Sequence, residues 1–293
     1  MAKKNYDYTQ DENLVEIETF KEEEFPDWKK IELEILRDRN GNCLCIGSRE
    51  FINENISVLP ILTIPNKIYQ LLRKDAFKIA TELRTVGNTN LKYAVNPVNF
   101  EYKLINYNIR QDDTVIENAT NYPMKNVRSE LLLGRIIDEI VVNGNNACYE
   151  PVFEKVVVEI NGYVITANNL EEGIIKSSCL DAGIGDCFWL EDLVDLERRD
   201  LREKLKENDS KVFLVIAEAI RKEMSVEKIC EITKIDKYFV GSVYKIIKTE
   251  KELELNYMNE KLVEKAINLG ISIPIIALLS GKDEDYIKKL INN

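Results

Sequence analysis

The sequence predicts an α+β chain, an antiparallel sheet with helices on one side, followed from about Leu190 by an all-α helical domain. Three observations predict it. Ile31, Leu33 and Ile35 alternate with Glu32 and Glu34, the period of a half-buried strand. Asn161-Gly162 stands between Val156–Ile160 and Tyr163–Thr166, and Asn-Gly accepts the positive φ angles of a two-residue hairpin turn. Beyond Leu190 strand signals vanish and helices follow one another at short spacing.

The elements follow in order. Residues 1–13 are polar and expected to fray. Leu14–Ile17 reads as a short strand, and Glu22-Glu23-Glu24 as a solvated charge run. After the strand at Ile31–Ile35, the residues from Arg37 to Asn42 read as a hairpin turn and Cys43–Ile46 as the returning strand. Ile68, Leu71, Leu72, Ile79, Ala80 and Leu83 recur at helical spacing within 66–84. Leu91–Val95 and Tyr102–Tyr107 read as strands joined by a turn at Asn96-Pro97-Val98-Asn99. Pro123 opens a helix that Gly134 can end. Asn169 caps the helix after the Asn-Gly hairpin.

The helical region contains a repeat offset by 47 residues. Ala219-Ile220 matches Ala266-Ile267, Ser225 matches Ser272, Ile229 matches Ile276, Asp236 matches Asp283 and Phe239 matches Tyr286. Each copy reads as helix, Ser cap, short helix, Asp cap, helix. Pro274 falls in a first turn, where its missing N–H costs little.

Composition narrows the chemistry. At 293 residues the chain can bury a sizeable core, and two domains are expected. It contains no histidine. That removes the usual neutral-pH base, Ser-His and Cys-His nucleophile pairs and most transition-metal sites. Six scattered cysteines read as reduced thiols, and Cys43-Leu44-Cys45 supplies too few soft ligands for zinc. A net charge of −11 repels nucleic acid over most of the surface. The most apolar run, Ala266–Gly281, is too short to cross a bilayer, and the charged start fits no secretory leader. A cytoplasmic location is expected.

Three local patterns have two readings each. Glu32 and Glu34 face the same side of a strand, as an acid/base pair or as solvated positions; the second is the simpler. Lys245, Lys248 and Lys251 form either a basic stripe or a solvated face balanced by Glu250, Glu252 and Glu254. The helix–turn–helix of the repeat has the outline of a DNA reader, but Asp236–Ser242 is apolar and weakly charged, which favours packing against protein.

Trp28–Asp38, Asn90–Pro97 and Leu104–Arg110 resemble strands of the first ATP-grasp half in the large chain of carbamoyl-phosphate synthetase. Leu133-Gly134 to Ile140, Tyr149-Glu150-Pro151 and Gly162–Ile165 with Leu170-Glu171-Glu172 are similar to the elements that follow there. Ser225–Ile229, Thr233–Asp236 and Ala266–Gly270 are similar to that family's oligomerisation domain. The resemblance covers about 12–293 and implies three parts: an ATP-grasp-like C-terminal lobe over 1–140, a linker with a hairpin and helix over 141–189, and a helical oligomerisation-like domain over 190–293.

The resemblance also carries departures. In this chain Lys30 stands where the family has an ATP-contacting glutamate, Lys92 where it has a glutamine, and Asn106 where it has a metal-binding glutamate. Asn108 survives from the metal-binding trio, and Arg110 from a family arginine. Ser57–Leu62 reads as a shortened version of a family loop. The preATP domain, the glycine-rich lid and the second synthetase half have no counterpart here. Lys30, Lys92, Asn106, Asn108 and Arg110 are therefore expected to form a vestigial nucleotide site, with no catalytic residue and no metal ligand.

The expected function is a catalytically silent relative that self-associates or joins a synthetase subunit, with no cofactor. One alternative is a nucleotide-binding subunit of a split ligase that takes Mg-ATP once a partner completes it. The other is a helix–turn–helix DNA binder.

Overall fold

A computed structural model describes residues 17–37, 41, 43–84, 87–110, 148–149, 155–255 and 259–291. The expected frayed terminus, most of the Leu14–Ile17 strand, most of the turn after Arg37, the Pro123 helix, Leu133–Ile140 and Glu150-Pro151 lie outside them.

Among the described residues eight strands form one sheet: β1 (Lys29–Arg37), β2 (Cys43–Phe51), β3 (Ile56–Leu59), β4 (Gly87–Val95), β5 (Tyr102–Arg110), β6 (Cys148–Tyr149), β7 (Val156–Ile160) and β8 (Tyr163–Ala167). Their order is β5-β4-β1-β2-β3-β7-β8, and β6 pairs with β2. The pairings along that path are antiparallel, whereas β6 runs parallel to β2. Helix α1 (Asn66–Glu82) covers one face. Ile31, Leu33, Ile35, Leu91 and Tyr93 form a buried cluster with its Leu72, Ala76 and Ala80.

Several strands are longer than the sequence suggests: that expected at Ile31–Ile35 spans Lys29–Arg37, and that at Leu91–Val95 begins at Gly87. The return strand expected at Cys43–Ile46 runs on to Phe51, and the Tyr102–Tyr107 strand reaches Arg110. The stretch read as a shortened loop at Ser57–Leu62 begins instead as β3, all four of whose residues are buried. Sandwiched between β2 and β7, Ile56 and Val58 gain burial on both sides that a surface loop cannot supply.

The Asn-Gly hairpin forms as expected, with φ of 49° at Asn161 and 82° at Gly162. It is hydrogen-bonded into the sheet through β3. Its Val158 and Ile160 join Ile56 and Val58 in the apolar core of the helices. Those helices are α2 (Leu170–Ala182), α3 (Glu191–Val194), α4 (Arg198–Glu207), α5 (Val212–Arg221), α6 (Val226–Thr233), α7 (Lys237–Leu255), α8 (Glu260–Asn268), α9 (Ile273–Ser280) and α10 (Glu284–Ile291). Asn169 caps α2, its Oδ1 accepting from the Glu172 amide at 2.9 Å.

The repeat extends to the backbone. Glu223 and Gly270 both adopt positive φ, as do Lys234 and Gly281. The Met224 amide donates to the Ala219 carbonyl at 2.9 Å, and that of Ile271 to Ala266 at 3.0 Å. Asp236 and Asp283 both accept amides at the start of their helices. The Ser caps differ: Ser225 accepts from Lys228, whereas Ser272 makes no cap bond.

Sheet and helices are tied by polar contacts as well as by the shared core. Lys29 Nζ lies 2.5 Å from Asp236 Oδ2 at the start of α7 and also bonds Thr63. Buried Glu50 accepts the amides of Leu62 and Thr63, both at 3.0 Å. Asn53 Nδ2 donates to the Asn208 and Asp209 carbonyls at 2.9 and 3.1 Å. No helix among the described residues is long and apolar enough to cross a membrane.

Candidate functional site

The sheet face opposite α1 carries the residues singled out from the sequence. Side chains alternate across a strand, so directly paired residues share a face. Asn106 on β5 pairs with Lys92 on β4, Lys92 with Glu32 on β1, and Glu32 with Arg49 on β2. This polar row crosses four strands. One step along, Asn108 pairs with Asn90 and Asn90 with Glu34; one step back, Lys30 pairs with Phe51. Arg110 pairs with Asn88 through the backbone. The fold thus brings Lys30, Lys92, Asn106 and Asn108 to one face, with Arg110 at the register position beyond.

Lys92 is the centre of the cluster. Its Nζ donates to both carboxylate oxygens of Glu22, at 3.0 and 2.9 Å. It also sits 4.8 Å from the centroid of the Phe51 ring, a cation–π distance. Glu22 belongs to a 3₁₀ turn, Glu22–Glu24, that reaches this face through the same contact. The charge run expected as solvated loop is therefore in part a clamp on the sheet. Lys30 holds that turn, donating to the carbonyls of Phe25 at 2.5 Å and Trp28 at 2.8 Å. Burial lowers the pKa of the Lys30 ammonium, repulsion from Lys92 adds to this, and Glu22 and Asp27 act in the opposite direction.

The carboxylates on this face are paired too. Glu34, expected on the solvent side, is buried and hydrogen-bonded to the fully buried Asn88. An amphipathic-strand pattern cannot show that an amide on the neighbouring strand meets the carboxylate. Arg49 lies 3.0 Å from Glu159 on β7, whose carboxylate also accepts from Ser57 at 3.4 Å. Asn106 and Asn108 are exposed. Sequence reasoning missed Glu22, Phe51, Asn88 and Arg49, because each meets its partner from a different element.

The arrangement suits internal charge pairing better than a metal ion. A magnesium–nucleotide complex needs hard oxygen donors, with at least one carboxylate free to face it. Here Asn106 and Asn108 present exposed amides, and the ammonium of Lys92 stands beside them. The carboxylate on that ammonium, Glu22, is already bonded through both oxygens. These residues do not fit a divalent-metal site. Among the described residues no cluster of three or more His, Cys, Asp or Glu is placed to hold a metal.

Besides the Ser272 cap, the helical region departs from expectation at its lysine face. Glu250 is buried and paired with Arg221 at 2.6 Å, so it does not balance a solvated lysine stripe. Lys245 pairs with Glu171 instead, at 2.9 Å. Of the segment compared with a DNA-reading helix, Phe239, Val240 and Ser242 are buried, and Asp236 is held by Lys29.

Comparison with known proteins finds two family matches. A family model of the ATP-binding domain of the carbamoyl-phosphate synthase L chain matches residues 8–140. Another, of the oligomerisation domain of the carbamoyl-phosphate synthetase large chain, matches 167–293. The carbamoyl phosphate synthase large chain of Campylobacter jejuni is 32% identical, over 88% of this chain and 27% of its own length. That of Agathobacter rectalis is 31% identical, over 90% of this chain and 28% of its own. The chain belongs to the carbamoyl-phosphate synthetase large-chain family. It spans 27–28% of the length of these relatives. A solved biotin carboxylase from Campylobacter jejuni superposes with a TM-score of 0.33 at 19% identity, over 46% of this chain and 30% of that one. In the synthetase family's terms, the polar sheet face lies within the match to the ATP-binding domain, and α2 to α10 within the match to the oligomerisation domain.

Proposed function

We propose that this chain is an association module of the carbamoyl-phosphate synthetase large-chain family and that it makes neither carboxyphosphate nor carbamoyl phosphate by itself. In this reading 1–140 is a disused ATP-grasp lobe, 141–189 connects it, and 190–293 mediates contact with another copy or with a synthetase large chain in the cytoplasm. Lys30, Lys92, Asn106, Asn108 and Arg110 are what remains of a nucleotide site.

The observation that carries the reading is the grip of Glu22 on Lys92, both oxygens within 3.0 Å. Phosphoryl transfer depends on positioned cations that neutralise charge on the phosphates. Here the central cation is already neutralised from within the chain. A nucleotide has to displace Glu22 and then bind without a divalent ion.

The test compares the natural chain with Glu22→Gln. The natural chain is expected to show no Mg²⁺-dependent ATP hydrolysis above buffer and no melting shift with ATP or tripolyphosphate. In Glu22→Gln, Lys92 is released, and tripolyphosphate at about ten times its Kd stabilises the fold by about 1.4 kcal/mol, again without hydrolysis. Turnover of about 1 s⁻¹ or more by the natural chain with Mg²⁺, or a melting shift with Mg-ATP, overturns the proposal.

A further inference from the structure

Two cysteines meet where α2 ends. Cys179 lies in the last turn of α2 and is buried; Cys187 lies in the loop that follows and is half-buried. The chain turns back on itself between them. The Ile184 amide donates to the Cys179 carbonyl at 3.1 Å, and the Cys187 amide donates to the Ile184 carbonyl at 3.4 Å. These turns lay Cys187 against the helix end, where the Cys179 thiol donates to the Cys187 carbonyl at 3.4 Å. We propose that Cys179 and Cys187 are a redox pair, a modification site that hydrogen peroxide converts into a reversible disulfide closing this loop.

The geometry is within reach of the bond. A thiol on its partner's own carbonyl sits no more than about 6 Å from that partner's Cα. A disulfide requires Cα atoms within about 7 Å and Cβ atoms within about 4.5 Å. Gly183 and Gly185, at φ of 69° and 59°, supply the freedom to close what remains, and nothing crowds either position.

The two thiols have different tasks. Burial, then Cys187, Asp186 and Glu250, push the Cys179 thiol up to about 12. Cys179 therefore keeps its proton and is a poor first reactant, since the thiolate is the nucleophile. Cys187, beside exposed Gly185 and Asp186, is the thiol that meets the oxidant. Its sulfur attacks one oxygen of the peroxide, the O–O bond breaks, an S–OH forms, and the thiol proton leaves with the other oxygen as water. The Cys179 sulfur then forms the S–S bond as the S–OH bond breaks, and its proton leaves with that oxygen as a second water. Two thiols lose two electrons, and one peroxide becomes two waters.

The bond acts on the helical core through the next residue. Phe188 is buried, and its carbonyl accepts from Arg221 Nη2 at 3.0 Å, the nitrogen that also holds Glu250 at 2.6 Å. Tying Cys187 to α2 fixes Phe188 and the Arg221 contact with it. A cross-link between residues eight apart also restricts the unfolded chain.

The experiment treats the full chain with equimolar hydrogen peroxide, maps peptides by mass and follows melting by circular dichroism. The natural chain is expected to yield a linked Cys179–Cys187 peptide two hydrogens lighter, with Tm raised by about 5 °C, both reversed by dithiothreitol. Cys230 is another half-exposed thiol, and Cys230→Ser should change neither result. Cys179→Ala should leave Cys187 as a sulfenic acid trapped by dimedone, and Cys187→Ser should leave the Cys179 thiol unmodified. A natural chain in which Cys187 is oxidised while Cys179 stays a free thiol, or in which either cysteine pairs elsewhere, overturns the proposal. A linked chain that melts no higher than the reduced one overturns its action on the core.

Discussion

Replacing Arg221 by Met should be among the most damaging single changes in the helical region, and its effect should depend on pH in a stated direction. Arg221 ends α5, and its Nε and Nη2 donate to Glu250 on α7 at 3.2 and 2.6 Å. Nη2 also donates to the Phe188 carbonyl at 3.0 Å, and Nη1 lies 3.5 Å from Glu218. The Glu250 and Glu218 side chains are 6% and 7% exposed. Methionine keeps the apolar stem and removes the guanidinium shared by these two carboxylates. Breaking a buried ion pair from one side costs about 3–5 kcal/mol. For a chain of this size that lowers Tm by roughly 6–15 °C.

The pH dependence follows from Glu250. Burial raises its carboxyl above the ordinary 4.5, while attraction and hydrogen bonding from Arg221 act against the rise. Removing Arg221 lets the folded-state value climb further. A group whose pKa is higher folded than unfolded binds more protons when folded. Its contribution is greatest below about 4.5 and is lost as pH rises through the raised value. The variant is therefore expected to lose most at pH 8 and to recover part of the difference near pH 5. Melts followed by circular dichroism at pH 5, 6, 7 and 8 measure this. A Tm within about 2 °C of the natural chain, or a deficit equal at all four pH values, refutes the reasoning. Adding Glu250→Leu to Arg221→Met should restore stability, because the stranded charge goes with its partner.

Two smaller changes test how the sheet meets the helices. A Cβ at Gly173 in α2 falls 2.6 Å from Val158 Cγ2 on β7, so Gly173→Ala should lower the stability measured by urea denaturation by about 1–3 kcal/mol of overpacking, and Val158→Ala should relieve it. Asn169 both caps α2 and donates to the Asn268 carbonyl of α8 at 2.6 Å, so Asn169→Ala should cost about 1–2 kcal/mol, with Asn169→Ser, which keeps the cap alone, recovering part of the loss in the same denaturation assay.

What the sequence makes legible is local. Asn161-Gly162 fixes a turn because two adjacent residues accept positive φ, and no distant contact is needed. The repeat is legible because caps and short helices encode their own boundaries, down to Asp236 and Asp283 accepting amides at the start of their helices. Strand β3 escapes a comparison of Ser57–Leu62 with a loop, although Ile56, Val58 and Leu59 carry the side chains of a buried strand. The extra length of β2 rests on Ser48 and Glu50, polar residues at buried positions; the amides that Glu50 accepts belong to Leu62 and Thr63, beyond the strand.

The candidate site is legible as a set of positions but not as a chemical state, and the reason is distance along the chain. Strand period alone places Asn106 and Asn108 on one face, and only the pairing of β4 with β5 brings Lys92 beside them. Whether Lys92 offers a free ammonium is decided by Glu22, 70 residues away, and by Phe51 on a third element. The same holds for Glu34, whose partner Asn88 is 54 residues off, and for Glu250 with Arg221, 29 residues off. Glu34 and Glu250 read as solvated in the sequence, because an isolated charge there has water as its default partner. Folding replaces that water with an opposite charge or an amide from another element. The site's electrostatics are thus a property of the tertiary pairing, and a charge-changing substitution at Glu22 should alter this face as much as one at Lys92 itself.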